Sequence, residues 1–156
     1  VPDGGGGGLM YETILLPTDG SDASLAAAEH AGSLAATGRA TVHVASVADS
    51  RNRFESPSSG LAPDAWENAE RDRAEAAVDE AVARLPEGVE VERTVATGIP
   101  QDEILDLVGE LDADAVVMGT HGRSGLDRYL VGSVTERIVR HSPVPVLTVR
   151  DPATDE

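Results

Sequence analysis

The sequence predicts an α/β domain, an open, doubly wound parallel sheet with helices on both faces. Short apolar runs alternate along the chain with segments that carry small and apolar residues at helical spacing, in the order βαβαβαβαβ. A helix between consecutive strands implies right-handed crossovers and therefore parallel strands. The length of 156 residues is close to that of one ordinary domain with a single core.

The first part of the chain predicts a β–α–β unit. Residues 11–17 form the apolar run YETILLP, which predicts a buried strand. Ser21 and Asp22 can cap a helix that ends at Gly38. Residues 40–48, ATVHVASVA, predict the second strand because apolar residues dominate the run.

The middle of the chain begins with a polar loop, residues 49–63, which contains Pro, Ser and Gly. Residues 64–85 follow as a long amphipathic helix rich in Ala, Glu and Arg. Residues 89–96, VEVERTVA, alternate apolar and charged side chains. This alternation is typical of a strand at the edge of a sheet.

The last part of the chain predicts two more helices and two more strands. Pro100 suits the first position of the third helix, and the apolar run ADAVVMG at residues 113–119 predicts the fourth strand. A fourth helix begins at Gly132 or Ser133. Residues 144–150, VPVLTVR, predict the fifth strand.

Both ends of the chain lie outside this pattern. Residues 1–9, VPDGGGGGL, include five glycines, which have no side chains to bury and are costly to order. We therefore expect a disordered extension, one domain over residues 10–150, and a polar tail at residues 151–156.

Composition excludes several classes of function. The chain has no Cys and all its 12 basic residues are Arg, which excludes disulfides, thiolate metal sites and lysine-based mechanisms. The net charge of −16 argues against nucleic acid and anionic membranes as partners. No apolar run approaches the ~18 residues of a membrane helix, and we expect a cytoplasmic protein because no export signal precedes the domain. Abundant carboxylates without Lys suggest a halophile.

A glycine-rich stretch, GTHGRSGLDRYLVGSVTE at residues 119–136, follows the fourth strand. In open α/β sheets the ligand lies beyond the carboxyl ends of the strands, where the strand order reverses. For an order of 3-2-1-4-5 this point lies between the first and fourth strands. The residues at those two strand ends are Pro17, Thr18, Asp19, Met118 and Gly119.

The same stretch has the features of an anion site. Gly119 and Gly122 can adopt positive φ and direct backbone N–H groups at a ligand. Gly132 opens the fourth helix, whose first N–H groups lack intrahelical partners, and Ser133 and Thr135 add hydroxyl donors. Alternatively, the SVTE that begins at Ser133 is only a capping box, which would still leave N–H groups facing outward. Residues 119–150 also carry five Arg against two carboxylates, so an anion is tolerated there.

The spacing Gly119-x2-Gly122-x9-Gly132-Ser133 resembles the nucleotide-binding signature of the universal stress protein family. The similarity extends to YETILLPTDGSDAS, VATGIPQDEIL, DADAVVMGTHGRSGL and LVGSVTERIVRHSPVPVLTVR, and so covers residues 10–150. The resemblance implies a Rossmann-like five-stranded parallel sheet of order 3-2-1-4-5. It also implies binding of ATP, with Mg²⁺ or Mn²⁺, and a homodimer formed through the last strand, residues 144–150.

The resemblance assigns roles only where positions match. Pro17, Thr18 and Asp19 match the strand end that meets adenosine in the family. Val47 matches a residue whose backbone touches adenine, although a shifted alignment would put Val44 there. The positions that match the family's phosphate and ribose contacts are Met118, Gly119, Gly122, Gly132, Ser133, Val134 and Thr135.

Three side chains near this signature keep more than one interpretation. Asp19 can accept a hydrogen bond from a ribose hydroxyl or hold a phosphate-bound Mg²⁺, or it only completes a turn in TDGSD. His121 and Arg123 lie in the loop and can contact phosphate, whereas Arg123 can also pair with surface carboxylates. The four His do not form a metal-binding set, so no metal ligands are assigned.

The expected function is that of a homodimeric, ATP-binding stress regulator or chaperone-like factor with little or no turnover. One alternative is a slow Mg-dependent ATPase, for which Asp19 and His121 are the only groups that suggest themselves. A second is binding of AMP or another adenine nucleotide. A third is an interaction protein with a vacant site, in which the glycines only form turns.

Overall fold

The computed structural model describes residues 11–53, 63–121 and 131–151. The described residues form strands and helices in strict alternation, with a 3-10 turn at Ser50–Arg53. The strands are β1 (Thr13–Pro17), β2 (Thr41–Asp49), β3 (Glu90–Gly98), β4 (Ala115–Gly119) and β5 (Val146–Val149). The helices are α1 (Asp22–Gly38), α2 (Pro63–Ala83), α3 (Pro100–Glu110) and α4 (Ser133–His141).

All the strand pairs are parallel, and the sheet has the order β3-β2-β1-β4-β5. The predicted fold class and strand order are therefore confirmed. The order changes direction between β1 and β4, so α1 and α2 cover one face of the sheet and α3 and α4 cover the other. β3 lies at one edge of the sheet, as its alternating sequence predicts, and β5 lies at the other.

Hydrophobic side chains fill a layer on each face of the sheet, because successive residues of a strand point to opposite sides. In β1, Ile14 and Leu16 pack beneath α1 and α2, whereas Leu15 packs against α3 and α4. α1 contributes mostly alanines to its layer, and small side chains let its axis approach the sheet closely.

The start of α1 confirms the predicted cap. Ser21 has extended backbone angles, φ −72° and ψ 162°, and its hydroxyl accepts a hydrogen bond from the N–H of Ser24 at 3.3 Å. At the other end, Gly38 is the last helical residue, but Arg39 takes the left-handed conformation with φ 60°. The predicted end of the helix at Gly38 is therefore confirmed, and the left-handed residue follows it.

Other differences from the predicted elements are small. Asp49 extends β2 by one residue, and the first part of the predicted loop is the 3-10 turn. Residues 54–62, the extension at 1–9 and most of the polar tail lie outside the described residues. Within the described ranges, none of the helices combines the length and the apolar character that crossing a membrane requires.

Candidate functional site

A cavity of about 520 Å³ lies at the carboxyl ends of β1, β2 and β4. All the predicted site residues that the structure describes line it, whereas Gly122 and Arg123 lie outside the described residues. The predicted residues in the lining are Pro17, Thr18, Asp19, Val47, Met118, Gly119, His121, Gly132, Ser133, Val134 and Thr135. The cavity thus lies where the strand order reverses, and contact between these residues and a nucleotide stays a prediction.

The amino end of α4 forms one wall of this cavity. Gly132 is the N-cap residue, with φ −64° and ψ 159°, and its own N–H donates to the carbonyl of Thr120 at 2.8 Å. None of the described side chains caps the helix, and Ser133 is its first residue and is exposed. The capping-box interpretation of Ser133 is therefore wrong. No described side chain caps the N–H groups of the first turn, which lie at the positive end of the helix dipole; the carboxylate of Glu136, in the same turn, offsets part of that charge.

Thr135 fixes the position of this helix end. Its side chain is buried, and its hydroxyl donates to the carbonyl oxygen of Gly119 at 2.9 Å. The expectation that Thr135 offers its hydroxyl proton to a ligand is therefore wrong, because that proton already joins α4 to the end of β4. The bond places the first turn of α4 beside the carboxyl end of the strand.

Close packing explains why position 119 is a glycine. It is not among the described glycines with positive φ, contrary to the expectation from its place in the motif. A Cβ built on Gly119 would lie 2.8 Å from the Cβ of Ala23 and 2.9 Å from its carbonyl carbon. Glycine is required here because the first turn of α1 passes directly against the end of β4.

The end of β1 forms a hydrogen-bonded turn on the cavity wall. The buried hydroxyl of Thr18 donates to the hydroxyl of Ser24 at 3.0 Å and accepts from the N–H of Gly20 at 3.2 Å. Asp19 accepts from the N–H of Ser21 through Oδ1 at 3.0 Å, so its role in a turn is present. Gly20, with φ 83°, supplies the left-handed conformation that the turn requires.

β2 closes the opposite side of the cavity. Val47 lines it, whereas Val44 is completely buried in the core beneath α1 and α2. Pro100 and Ile104, from the first two turns of α3, add apolar surface on the same side. Apolar walls with a few polar groups are typical of cavities that bind a small organic molecule.

Asp49 and Arg51 form an ion pair on the lining, just beyond the end of β2. The guanidinium donates from Nε to Oδ1 at 3.0 Å and from Nη2 to Oδ2 at 2.9 Å. The backbone N–H of Arg51 donates to the same carboxylate at 2.9 Å. The side chain of Arg51 therefore bends back onto Asp49, and both residues line the cavity together with Val47.

Histidines contribute little to the site. His121 lines the cavity, and its Nδ1 lies 3.2 Å from the hydroxyl of Thr120. His43 is buried in β2, with Nε2 at 2.6 Å from the hydroxyl of Thr94, so its role is structural. Among the described residues, no three His, Asp or Glu side chains cluster in a way that could hold a metal ion.

A model of the universal stress protein family matches residues 10–150. The chain belongs to this family. A universal stress protein from Methanocaldococcus jannaschii is 37% identical over 148 residues, which cover 92% of this chain and 84% of that protein. The predicted family is therefore confirmed over the whole predicted domain.

Solved structures of universal stress proteins share this fold. UspA from Lactobacillus plantarum matches with a TM-score of 0.78 and 26% identity, over 92% of this chain and all of the other (100%). A universal stress protein crystallised in complex with cAMP matches with a TM-score of 0.63 and 31% identity, over 92% of this chain and 99% of the other.

Sequence reasoning missed some of the residues that line the cavity of this universal stress protein. The missed residues come from α1, β2, the turn after β2 and α3: Ser24, Ala45, Ser46, Asp49, Arg51, Pro100 and Ile104. β2 neighbours β1 in the predicted strand order, so its carboxyl end could have been included in the crevice. Assigning Asp49 to a polar loop removed both members of the ion pair from consideration.

Proposed function

We propose that this universal stress protein binds an adenine nucleotide, with ATP as the expected ligand, and acts as a nucleotide-dependent stress regulator or chaperone-like factor. The observation that carries the proposal is the cavity at the reversal of the strand order, bounded on one side by the uncapped amino end of α4. Its volume of about 520 Å³ falls within the ~300–1,000 Å³ that is usual for sites of small organic ligands.

The two sides of the cavity suit the two halves of a nucleotide. The N–H groups in the first turn of α4 suit phosphate oxygens, because no described side chain caps them and they lie at the positive end of the helix dipole. The apolar surface of Val47, Pro100 and Ile104 suits a base. The related protein crystallised with cAMP supports an adenine nucleotide as the class of ligand.

Gly122 and Arg123, outside the described residues, are expected to complete the phosphate site. Asp19 is the carboxylate on the lining that is expected to meet a ribose hydroxyl or a phosphate-bound Mg²⁺ or Mn²⁺. One oxygen of Asp19 also accepts a hydrogen bond from the N–H of Ser21, which would keep the carboxylate in place for either contact. A divalent cation would neutralise part of the triphosphate charge in a protein of net charge −16.

We expect little or no hydrolysis. Phosphoryl transfer requires a group that positions the attacking water and groups that stabilise the developing charge. Among the described lining residues, Asp19 and His121 are the candidates for positioning water. Release of phosphate in the presence of Mg-ATP would reveal turnover, and its loss in Asp19→Ala with unchanged ATP affinity would favour the ATPase alternative.

Titration calorimetry with Mg-ATP in molar salt tests the proposal, with AMP, ADP and cAMP as competitors for the same site. Gly132→Val should abolish the heat of binding, because side-chain bulk at the N-cap position would occupy the place expected for phosphate. Gly109→Val is the matched control, since Gly109 lies in α3 with open space around it. Absence of both binding heat and a thermal shift at millimolar ATP would refute the proposal.

A homodimer formed through the last strand, residues 144–150, is the second part of the proposal. β5 is an edge strand, and an edge strand offers unpaired backbone groups to a second copy. Exposed apolar side chains lie on and beside it: Leu147 is 45% exposed, and Val139 of α4 is 53% exposed. Burying these side chains against a symmetry-related copy would stabilise a dimer.

A further inference from the structure

We propose that the ion pair between Asp49 and Arg51 recognises the base of the bound nucleotide, with the flat guanidinium stacked on the base. This inference rests on the proposed function and adds a specific contact to it. Nothing in the family signature includes either residue. Both residues line the cavity, which makes them available to a ligand there.

The position of the pair follows from the strand order. β1 lies between β2 and β4, so β2 and β4 are two strand spacings apart, about 10 Å at ~4.8 Å per spacing. β2 also continues past Ala45, the partner of Pro17, to Asp49, which places Asp49 about 13 Å beyond the end of β1 at ~3.3 Å per residue. The amino end of α4 lies beside the end of β4, because Thr135 is bonded to Gly119. A nucleotide whose phosphates lie at α4 therefore has its base near the end of β2, where the pair is found.

The geometry of the pair favours a fixed, flat contact. Arg51 makes three hydrogen bonds to one carboxylate, two of them from the guanidinium in a bidentate arrangement. The Asp49 side chain is only 17% exposed and so anchors the pair in the wall. The Arg51 side chain is 44% exposed, which leaves part of the guanidinium within reach of a ligand at the cavity rim.

The chemistry of the pair favours the base over the phosphates. A guanidinium plane stacks well on the face of a base, and a bidentate carboxylate keeps the plane from rotating. The same carboxylate neutralises the positive charge of Arg51, so the attraction between Arg51 and a triphosphate is weaker. Stacking accepts any base, so the pair would add affinity for a nucleotide without selecting adenine over guanine.

The test compares ligands that differ in the number of phosphates: adenosine, AMP, ATP and base-free tripolyphosphate, titrated into the wild type, Arg51→Ala and Arg51→Lys. A cation stacked on a π-face is worth about 0.5–2 kcal/mol, so Arg51→Ala should weaken the binding of adenosine, AMP and ATP alike by about 2–30-fold. Tripolyphosphate affinity should not change. Arg51→Lys should weaken the binding of the same three ligands nearly as much, because lysine keeps the positive charge but has no planar guanidinium.

A second variant and a control complete the design. Asp49→Asn should produce a smaller loss of affinity for the same three ligands, because the guanidinium stays but no longer forms an ion pair with Asp49. Arg84→Ala should have no effect, since Arg84 pairs with Glu29 at 3.0 Å outside the cavity lining and its side chain is similarly exposed, at 46%. Circular dichroism of each variant would confirm that it folds.

Several results would overturn the inference. A loss that grows from adenosine to ATP would assign Arg51 to the phosphates, and full retention of affinity in Arg51→Lys would show that charge alone matters. Unchanged nucleotide affinities in Arg51→Ala would remove the residue from the site while leaving the proposed function intact. Failure of the wild type to bind any of the nucleotides would instead refute the proposed function itself.

Discussion

Replacing Gly119 with Ala tests why the signature has a glycine at the end of β4. The added Cβ would lie 2.8 Å from the Cβ of Ala23, 2.9 Å from its carbonyl carbon and 3.0 Å from the N of Ser24. Carbon atoms pack at about 3.5–4.0 Å, so the overlap approaches 1 Å. Two of the three atoms belong to the backbone, and side-chain rotation cannot relieve the clash.

The structure also indicates how large the effect should be. The first turn of α1 is held by the Ser21 cap and by buried alanines, so the helix must shift as a unit to make room. Forcing an extra carbon into a packed site costs about 1–3 kcal/mol. Because the contact here is with backbone, we expect about 2–3 kcal/mol. For a protein of this size that loss corresponds to a melting temperature lower by about 4–12 °C.

Urea denaturation at constant salt measures this change in the free energy of unfolding, with no nucleotide present. Gly109→Ala is the matched control, because it also adds a Cβ to a glycine but has no atom within 4 Å, and it should be neutral or slightly stabilising. Ala23→Gly removes only one of the clashing atoms. Combined with Gly119→Ala, it should therefore recover part of the loss, with a coupling free energy of about 1 kcal/mol.

Two outcomes would contradict the packing explanation for Gly119. One is a loss of less than about 0.5 kcal/mol, which is the range of an ordinary surface substitution. The other is a variant of normal stability that no longer binds ATP, which would mean that the glycine serves the ligand and not the contact between α1 and β4.

Two further predictions concern α4 and β5. Thr135→Val should destabilise the fold by about 1–3 kcal/mol in urea denaturation, since it leaves the buried carbonyl of Gly119 without the hydroxyl that donates to it, whereas Thr135→Ser should retain most of the stability. Leu147→Asp should convert the proposed dimer to a monomer in sedimentation experiments, while the equally drastic Leu34→Asp, on the exposed side of α1, should leave it intact; a Leu147→Asp protein that stays dimeric would exclude β5 as the interface.

Much of the fold could be predicted because local periodicity is sufficient to define it. The buried runs at β1 and β4 and the alternating run at β3 match the strands observed, and Ser21 begins α1 as its side-chain chemistry predicts. Element ends were less predictable. Arg39, and not the glycine before it, adopts the left-handed conformation that follows α1.

The site was predicted in part. Motif spacing and strand-end logic brought together residues that do line one cavity, from Pro17 to Thr135. The roles of individual side chains were less accessible. The hydroxyl of Thr135 is used to hold α4, and Ser133 does not cap the helix, because backbone geometry placed Gly132 at that position.

By itself, the sequence determined the alternation of strands and helices, the family and the place of the candidate site along the chain, because all three depend on residue types at fixed spacings. Only the tertiary structure decided why Gly119 must lack a side chain, since the atoms that crowd it belong to Ala23 and Ser24, almost a hundred positions earlier. It likewise brought Asp49 and Arg51 to the cavity wall. Contacts between strands that are distant in the chain exist only after the sheet has assembled, and no local pattern encodes their distances.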